Sequence, residues 1–201
     1  DIRRGEIAFL RDENYNTGRR LHECFLGDRG WTSGFFRLNG RLYQPGDLGR
    51  VIGSEIGIQI ERPDRPGGVL FDNMTALDNL CTSLIPKAGQ HIIRKKIVSS
   101  ILSEALRWFP KEMLLQPLSS WSYPERLRFS YYRWYLLNPK LLICFFPFAG
   151  QESAHHKMII DLLVLCAQRG MAVWIISSGI DAICEKTDNE EFLRRLHYLN
   201  K

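Results

Sequence analysis

The sequence predicts an α/β fold with a parallel or mixed central sheet and an inserted helical segment, on three observations. Lys140-Leu-Leu-Ile-Cys-Phe-Phe146 and the stretch from Met171 to Ser177 are continuous apolar runs, the pattern of parallel strands buried on both faces. Helical periodicity fills 125–137 and 153–168, so the last four elements alternate helix, strand, helix, strand and imply right-handed crossovers. Residues 75 to 137 are helical in pattern, which inserts a helical portion between two halves of the sheet-bearing unit. The expected division is a core of residues 1–74 and 139–201 around a helical subdomain of 75–138.

Gly5-Glu-Ile-Ala-Phe-Leu10 reads as a short buried strand, Arg11 to Thr17 as a polar turn, and Gly18 to Leu26 as a helix. Gly34-Phe-Phe-Arg-Leu-Asn-Gly40 with Arg41-Leu-Tyr43 predicts an antiparallel hairpin turning at Asn39-Gly40, a pair that accepts the positive φ of a tight turn. Ile56 to Ile60 is another strand. Arg62 to Gly68 is a loop, because two prolines and two glycines in seven residues continue neither strand nor helix. Thr75 is placed to cap a helix carrying Leu77, Leu80 and Leu84. An amphipathic helix over 90–109 ends before Pro110, residues 116–124 form a loop, and 125–137 is helical again.

With 201 residues, 45% hydrophobic and 24% charged, the chain can build one sizeable core or two closely packed subdomains, which excludes disorder. No run of eighteen apolar residues occurs, so a membrane-spanning helix is not expected and the chain reads as soluble. It begins Asp1-Ile2-Arg3-Arg4 without an initiator Met or a charged-then-apolar leader, so a fragment of a longer protein is expected. Cys24, Cys81, Cys144, Cys166 and Cys184 are scattered, mostly in apolar runs and without a CxxC pair; buried reduced thiols are expected rather than a disulfide or zinc framework. The net charge of +5 and pI near 9.0 come from spread cations, clustered only at Arg94-Lys95-Lys96 and Arg126-Leu127-Arg128. The aromatics of 128–134 lie at a helical spacing that packs them between subdomains, so nucleic acid is not an expected partner.

Several stretches resemble one family. Trp134-Tyr-Leu-Leu-Asn-Pro-Lys-Leu-Leu-Ile143 is followed by Pro147 and Gly150, and Arg169-Gly-Met-Ala-Val-Trp-Ile-Ile-Ser-Ser178 forms a later block. Upstream lie Gly57-Ile-Gln-Ile-Glu-Arg-Pro-Asp-Arg65 and Asn73-Met-Thr-Ala-Leu-Asp-Asn-Leu80, and before them Gly5-Glu-Ile7 and Ser33 to Gly40. In this order they resemble the nucleotide-binding domain of ABC transporters, in its sugar-importer branch, over residues 5 to about 188. The resemblance implies a P-loop NTPase-like ABC ATPase fold, with the domain's first strands absent.

The same resemblance places the family's working positions on residues that do not carry its chemistry. The phosphate loop needs glycines for close backbone approach, a Lys for phosphate and a Ser or Thr for magnesium. Its stretch here, Arg11 to Arg20, keeps one glycine, Gly18, puts Tyr15 in the loop, and adds the like charge of Asp12 and Glu13. Arg19 reaches the lysine position only across a one-residue gap, with Arg20 beside it; without the gap Gly18 falls there. Phe145 and Phe146 occupy the positions of the Asp-Glu pair that holds magnesium and polarises the attacking water. Asn138 to Ile143 and Pro147 fix that register. Glu152 aligns with the aspartate of the dimer-facing D-loop. Pro63 stands at the Q-loop position, and Trp121-Ser122-Tyr123-Pro124 replaces the signature motif, keeping only Ser122, itself well placed as a helix cap. Ser178 stands at the switch-histidine position. His155-His156 point about 100° apart on a helix, and no third ligand joins them or His22, His91 or His197 in a metal or catalytic set.

These departures together imply a pseudo-ATPase: an ABC-type domain with no catalytic residue, no metal ligand and no expected cofactor, acting as a protein-interaction, scaffold or regulatory module. The helical subdomain is the expected contact for a membrane subunit or another domain of the parent chain, and a dimer is compatible with the family. The location implied is cytoplasmic, at the inner face of the membrane where a transporter partner exists. The alternative is an ATP-binding domain of a sugar-type importer with weak or unconventional binding of ATP and magnesium, held by Arg19 and an aromatic stack.

Overall fold

The computed structural model describes residues 1–31, 33–61, 70–88, 95–150 and 152–199. The chain opens with strand β1 (Ile7–Arg11) and helix α1 (Asn16–Leu26), then forms a small hairpin of β2 (Phe36–Leu38) and β3 (Arg41–Tyr43). A 3-10 turn over Pro45–Arg50 leads to β4 (Ile56–Ile60). The helices α2 (Ala76–Ala88), α3 (Lys95–Ala105), α4 (Lys111–Leu114) and α5 (Tyr123–Leu137) come next. The chain then returns through β5 (Leu141–Phe145), α6 (Ser153–Gln168) and β6 (Ala172–Ser177), and ends with α7 (Ile180–Cys184), α8 (Glu190–Arg195) and β7 (Leu196–Tyr198).

The main sheet has the order β4-β5-β6-β1-β7, and each neighbouring pair runs parallel. Strand β5, between β4 and β6, is buried at every residue, as its unbroken apolar run requires. Its side chains alternate between two layers. Leu142 and Cys144 pack with Leu127, Tyr131 and Trp134 of α5 and with Ile159 and Leu163 of α6. On the other face Leu141, Ile143 and Phe145 pack with Phe25 of α1, Tyr43 and Leu48. The hairpin pairs Phe36 with Tyr43 and Leu38 with Arg41, and Asn39 (φ 49°) and Gly40 (φ 79°) take the turn conformation that their chemistry allows.

The helical segment has its own core, with Leu80, Ile101, Phe109, Leu118, Trp121, Phe129 and Tyr132 buried together. Thr75 accepts the N–H of Asp78 at 3.0 Å and donates to the Asp78 carboxylate at 2.7 Å, closing the start of α2. Helix α5 belongs to both cores, since Phe129 and Tyr132 face the other helices whereas Tyr131 and Trp134 face the sheet layer. A buried polar chain fastens it to β4. The Trp134 indole N–H donates to Gln59 Oε1 at 2.7 Å, and Gln59 Nε2 donates to Glu61 at 2.6 Å and to Ser130 Oγ at 3.2 Å. The Trp134 ring lies against Gly57, where a Cβ would meet ring atom Cε3 at 2.8 Å, so the close approach of helix to strand requires glycine.

The structure corrects some sequence expectations. Of the helix expected over 90–109, residues 89–94 lie outside the described residues, and the described helix ends at Ala105. Residues 106–109 turn instead, with Trp108 and Phe109 both donating to the Ala105 carbonyl, because Phe109 precedes Pro110 and proline disfavours helical backbone before it. The loop expected over 116–124 contains a 3-10 turn at Leu118–Ser120, and α5 begins at Tyr123. The elements α7, α8 and β7 have no counterpart among the sequence expectations.

Two outcomes are expected. Trp134→Phe leaves Gln59 Oε1 buried without its donor and should lower stability to urea by about 1–3 kcal/mol without changing the far-UV spectrum. All five cysteines are free thiols, and burial pushes Cys166 up to about 12 and Cys144 well above the ordinary thiol range. A thiol reagent at pH 8 should therefore leave Cys144 and Cys166 unmodified in the native protein and label all five after urea unfolding, as peptide mapping would read.

Candidate functional site

In a parallel sheet, ligands bind in the crevice beyond the carboxyl ends of the strands, and a helix that starts there offers free amides and the positive end of its dipole to an anion. β5, β6 and β1 are adjacent, so the three loops leaving them share one end of the sheet. Two backbone bonds tie these loops together. The Asp12 N–H donates to the Ser177 carbonyl at 2.9 Å and the Phe146 N–H donates to the Ile176 carbonyl at 2.8 Å.

Tyr15, Gly18, Phe146 and Ser178 meet at this point. The Phe146 ring covers Gly18, where a Cβ would stand 2.5 Å from ring atom Cζ and 3.1 Å from Ile176 Cγ2. The Tyr15 ring packs on Phe146 with centroids 4.8 Å apart, and its hydroxyl lies 3.3 Å from Ser178 Oγ. Tyr15 (φ 58°) and Phe146 (φ 54°) both hold left-handed backbone, which costs non-glycine residues about 1–3 kcal/mol each and is retained where surrounding contacts compensate. Phe145 lies behind them in the core, fully buried, with its ring 5.2 Å from that of His22.

Asp12 also sits here, buried to 2% exposure, and it faces inward. Its carboxylate accepts the N–H groups of Thr17 at 3.2 Å and Gly18 at 2.7 Å, on the first turn of α1. In sequence this residue reads as a source of repulsion, and its capping role goes unseen. The available signal was a short acidic side chain just ahead of a helix start, the chemistry of a cap.

The other residues singled out in sequence lie elsewhere. Arg19 and Arg20 are exposed on α1, and Arg19 donates to Glu23 at 3.2 Å, one turn further along the helix. Arg29, followed by Arg19, holds the Glu23 carboxyl below its usual range. Ser122 caps α5, its N–H and hydroxyl both donating to Glu125 at 2.8 and 2.6 Å. Glu152 is exposed at the N-cap position of α6. The His155 ring packs near Tyr123 and the His156 ring near Phe148, so the two imidazoles diverge. Pro63 lies outside the described residues. At the crevice, then, the end of β5 presents a phenyl ring, which neither coordinates a cation nor accepts a proton. The amides that open α1 are already bonded to a carboxylate of the same chain.

No family model matches the chain. It is 24% identical over 191 residues to a putative ribose/galactose/methyl galactoside import ATP-binding protein of Pseudomonas syringae pv. tomato, covering 94% of this chain and 36% of that protein. To a protein of the same description from Pseudomonas fluorescens it is 25% identical over 191 residues, covering 94% of this chain and 37% of the other. The chain thus spans little more than a third of the length of these curated relatives. Among solved structures, cbiO1 from Clostridium perfringens, described as part of an ABC transporter complex, superimposes with a TM-score of 0.72 at 20% identity, covering 98% of this chain and 74% of its own. An ATP-binding cassette in a dimeric post-hydrolysis state bound to ADP and Pi gives a TM-score of 0.68 at 18% identity, covering 100% of this chain and 83% of its own. Among the described residues no helix is long and apolar enough to cross a membrane. The chain has the fold of an ABC ATPase domain and is similar, over 94% of its length, to ATP-binding proteins named for sugar import.

Proposed function

We propose that this chain is an ABC-type nucleotide-binding domain that does not hydrolyse ATP and acts as a protein-interaction, scaffold or regulatory module of a transport or sensing system. The observation that carries the reading is the Phe146 ring over Gly18, at the helix start where this fold has its anion site. Hydrolysis requires a carboxylate to hold magnesium and a base to orient water. With Phe145 buried in the core and the Phe146 ring over Gly18, neither group stands at the end of β5. Losing one such electrostatic contact costs about 3–4 kcal/mol in the transition state, or some hundred- to thousandfold in rate. On this reading the domain needs no nucleotide or metal. Its helical subdomain contacts a membrane subunit or another domain of the parent chain, it is able to pair with a second such domain, and it works in the cytoplasm at the inner face of the membrane.

A second reading is favoured by the likeness to sugar-import ATP-binding proteins along 94% of the chain. In it the domain binds ATP and magnesium weakly in an importer, with Arg19 and an aromatic stack in place of the usual ligands. Isothermal titration with Mg-ATP and with a non-hydrolysable analogue separates the two. The first reading expects no saturable heat up to about 1 mM and phosphate release no faster than the blank, whereas micromolar binding overturns it. The closing contact has its own test. Gly18→Ala should lower stability by about 1–3 kcal/mol through overpacking against Phe146. Combining it with Phe146→Ala should recover part of that loss, and strictly additive losses in urea unfolding would contradict the contact.

A further inference from the structure

Asp12 balances its charge in an unusual way. The residue is 2% exposed, and its carboxylate accepts the Thr17 and Gly18 amides at 3.2 and 2.7 Å. The cation next to it in sequence, Arg11, is committed to Glu13 and Asp181 instead. The groups facing the Asp12 carboxylate are thus the orphan N–H donors of an eleven-residue helix, at the positive end of its dipole. A buried anion in that position does what a phosphoryl oxygen would do there.

We infer that Asp12 is an internal occupant of the anion cradle at the start of α1, an autoinhibitory carboxylate bonded to the Thr17 and Gly18 amides, with the Phe146 ring packed over Gly18. The inference deepens the proposed loss of nucleotide binding and rests on that reading. Two observations separate occlusion from collapse of the cradle. Helix α1 begins at Asn16 and keeps Thr17 and Gly18 in its first turn, so the donors remain ordered and convergent. The space over Gly18 is filled by the ring of Phe146, with Cζ and Cε1 the ring atoms a Cβ would meet, and not by backbone of that loop. Both obstructions are side chains that a substitution removes, while the backbone that would receive phosphate stays in position.

The test is titration of inorganic pyrophosphate, at low ionic strength, into the unmodified protein, Phe146→Ala, Asp12→Ala and the double variant. The unmodified chain and Phe146→Ala should bind no pyrophosphate, because Asp12 still holds the two amides. The double variant should gain at least about tenfold in affinity, the scale of one charge at a helix terminus. Asp12→Asn, which keeps an acceptor for one amide, serves where Asp12→Ala fails to fold, and in the Phe146→Ala background it should show a smaller gain of the same sign. A cooperatively melting double variant that binds pyrophosphate no better than the unmodified chain overturns the inference. So does pyrophosphate binding by the unmodified chain. Failure of the functional reading is told apart by Mg-ATP, since binding of Mg-ATP to the unmodified chain defeats that reading whatever the variants do.

Discussion

The contact between the Phe146 ring and the backbone of Gly18 is the constraint on which the carboxyl end of the sheet depends. It seats α1 against β5 and β6, and it lets Tyr15 lie over the ring and reach Ser178. Beside it, the Asp12 carboxylate accepts the Thr17 and Gly18 amides of the first turn of the helix. A glycine at residue 18 makes the approach possible, and residues 15 and 146, whose rings pack on each other, both hold left-handed backbone. Contacts of this kind give partners to amides that the start of a helix otherwise leaves unpaired.

A second set of contacts fixes the helical portion to the sheet. Helix α5 is buried on two sides, and the chain Ser130-Gln59-Trp134, with Glu61 beside it, supplies hydrogen bonds where the two cores meet. Buried polar groups are costly when half satisfied, so this junction has a defined geometry rather than a sliding one. On the proposed reading, a rigid helical subdomain suits a contact surface whose shape does not follow a nucleotide cycle.

Much of this architecture was legible in the residues. The apolar runs at 140–146 and 171–177 read as buried strands because parallel strands lack a polar face, and Asn39-Gly40 read as a turn because few pairs accept its dihedral angles. Ser122 was well placed in sequence as a helix cap, and α5 starts beside it with Glu125 completing the capping box. The end of α3 was overrun because Leu106 to Phe109 keep helical periodicity while Pro110 turns the chain. The strand β7 was invisible, since three residues of mixed polarity carry no period and its pairing with β1 is long-range. At the site, the identities of Phe145 and Phe146 were plain, but their unlike environments were not, because adjacent strand-end residues diverge only once the backbone turns at Phe146. The inward direction of Asp12 and the junction around Gln59 depend on tertiary partners far apart in sequence, and composition does not encode those.

The most direct test is to follow the backbone amide resonances of Thr17 and Gly18 by heteronuclear NMR while Mg-ATP is added. The titration should run to about 1 mM, where a binding free energy of about −4 kcal/mol would half-fill the site. Both resonances should stay fixed, because the Asp12 carboxylate holds these amides. A saturable shift of either amide, with matching changes in the Phe146 ring signals, would contradict it.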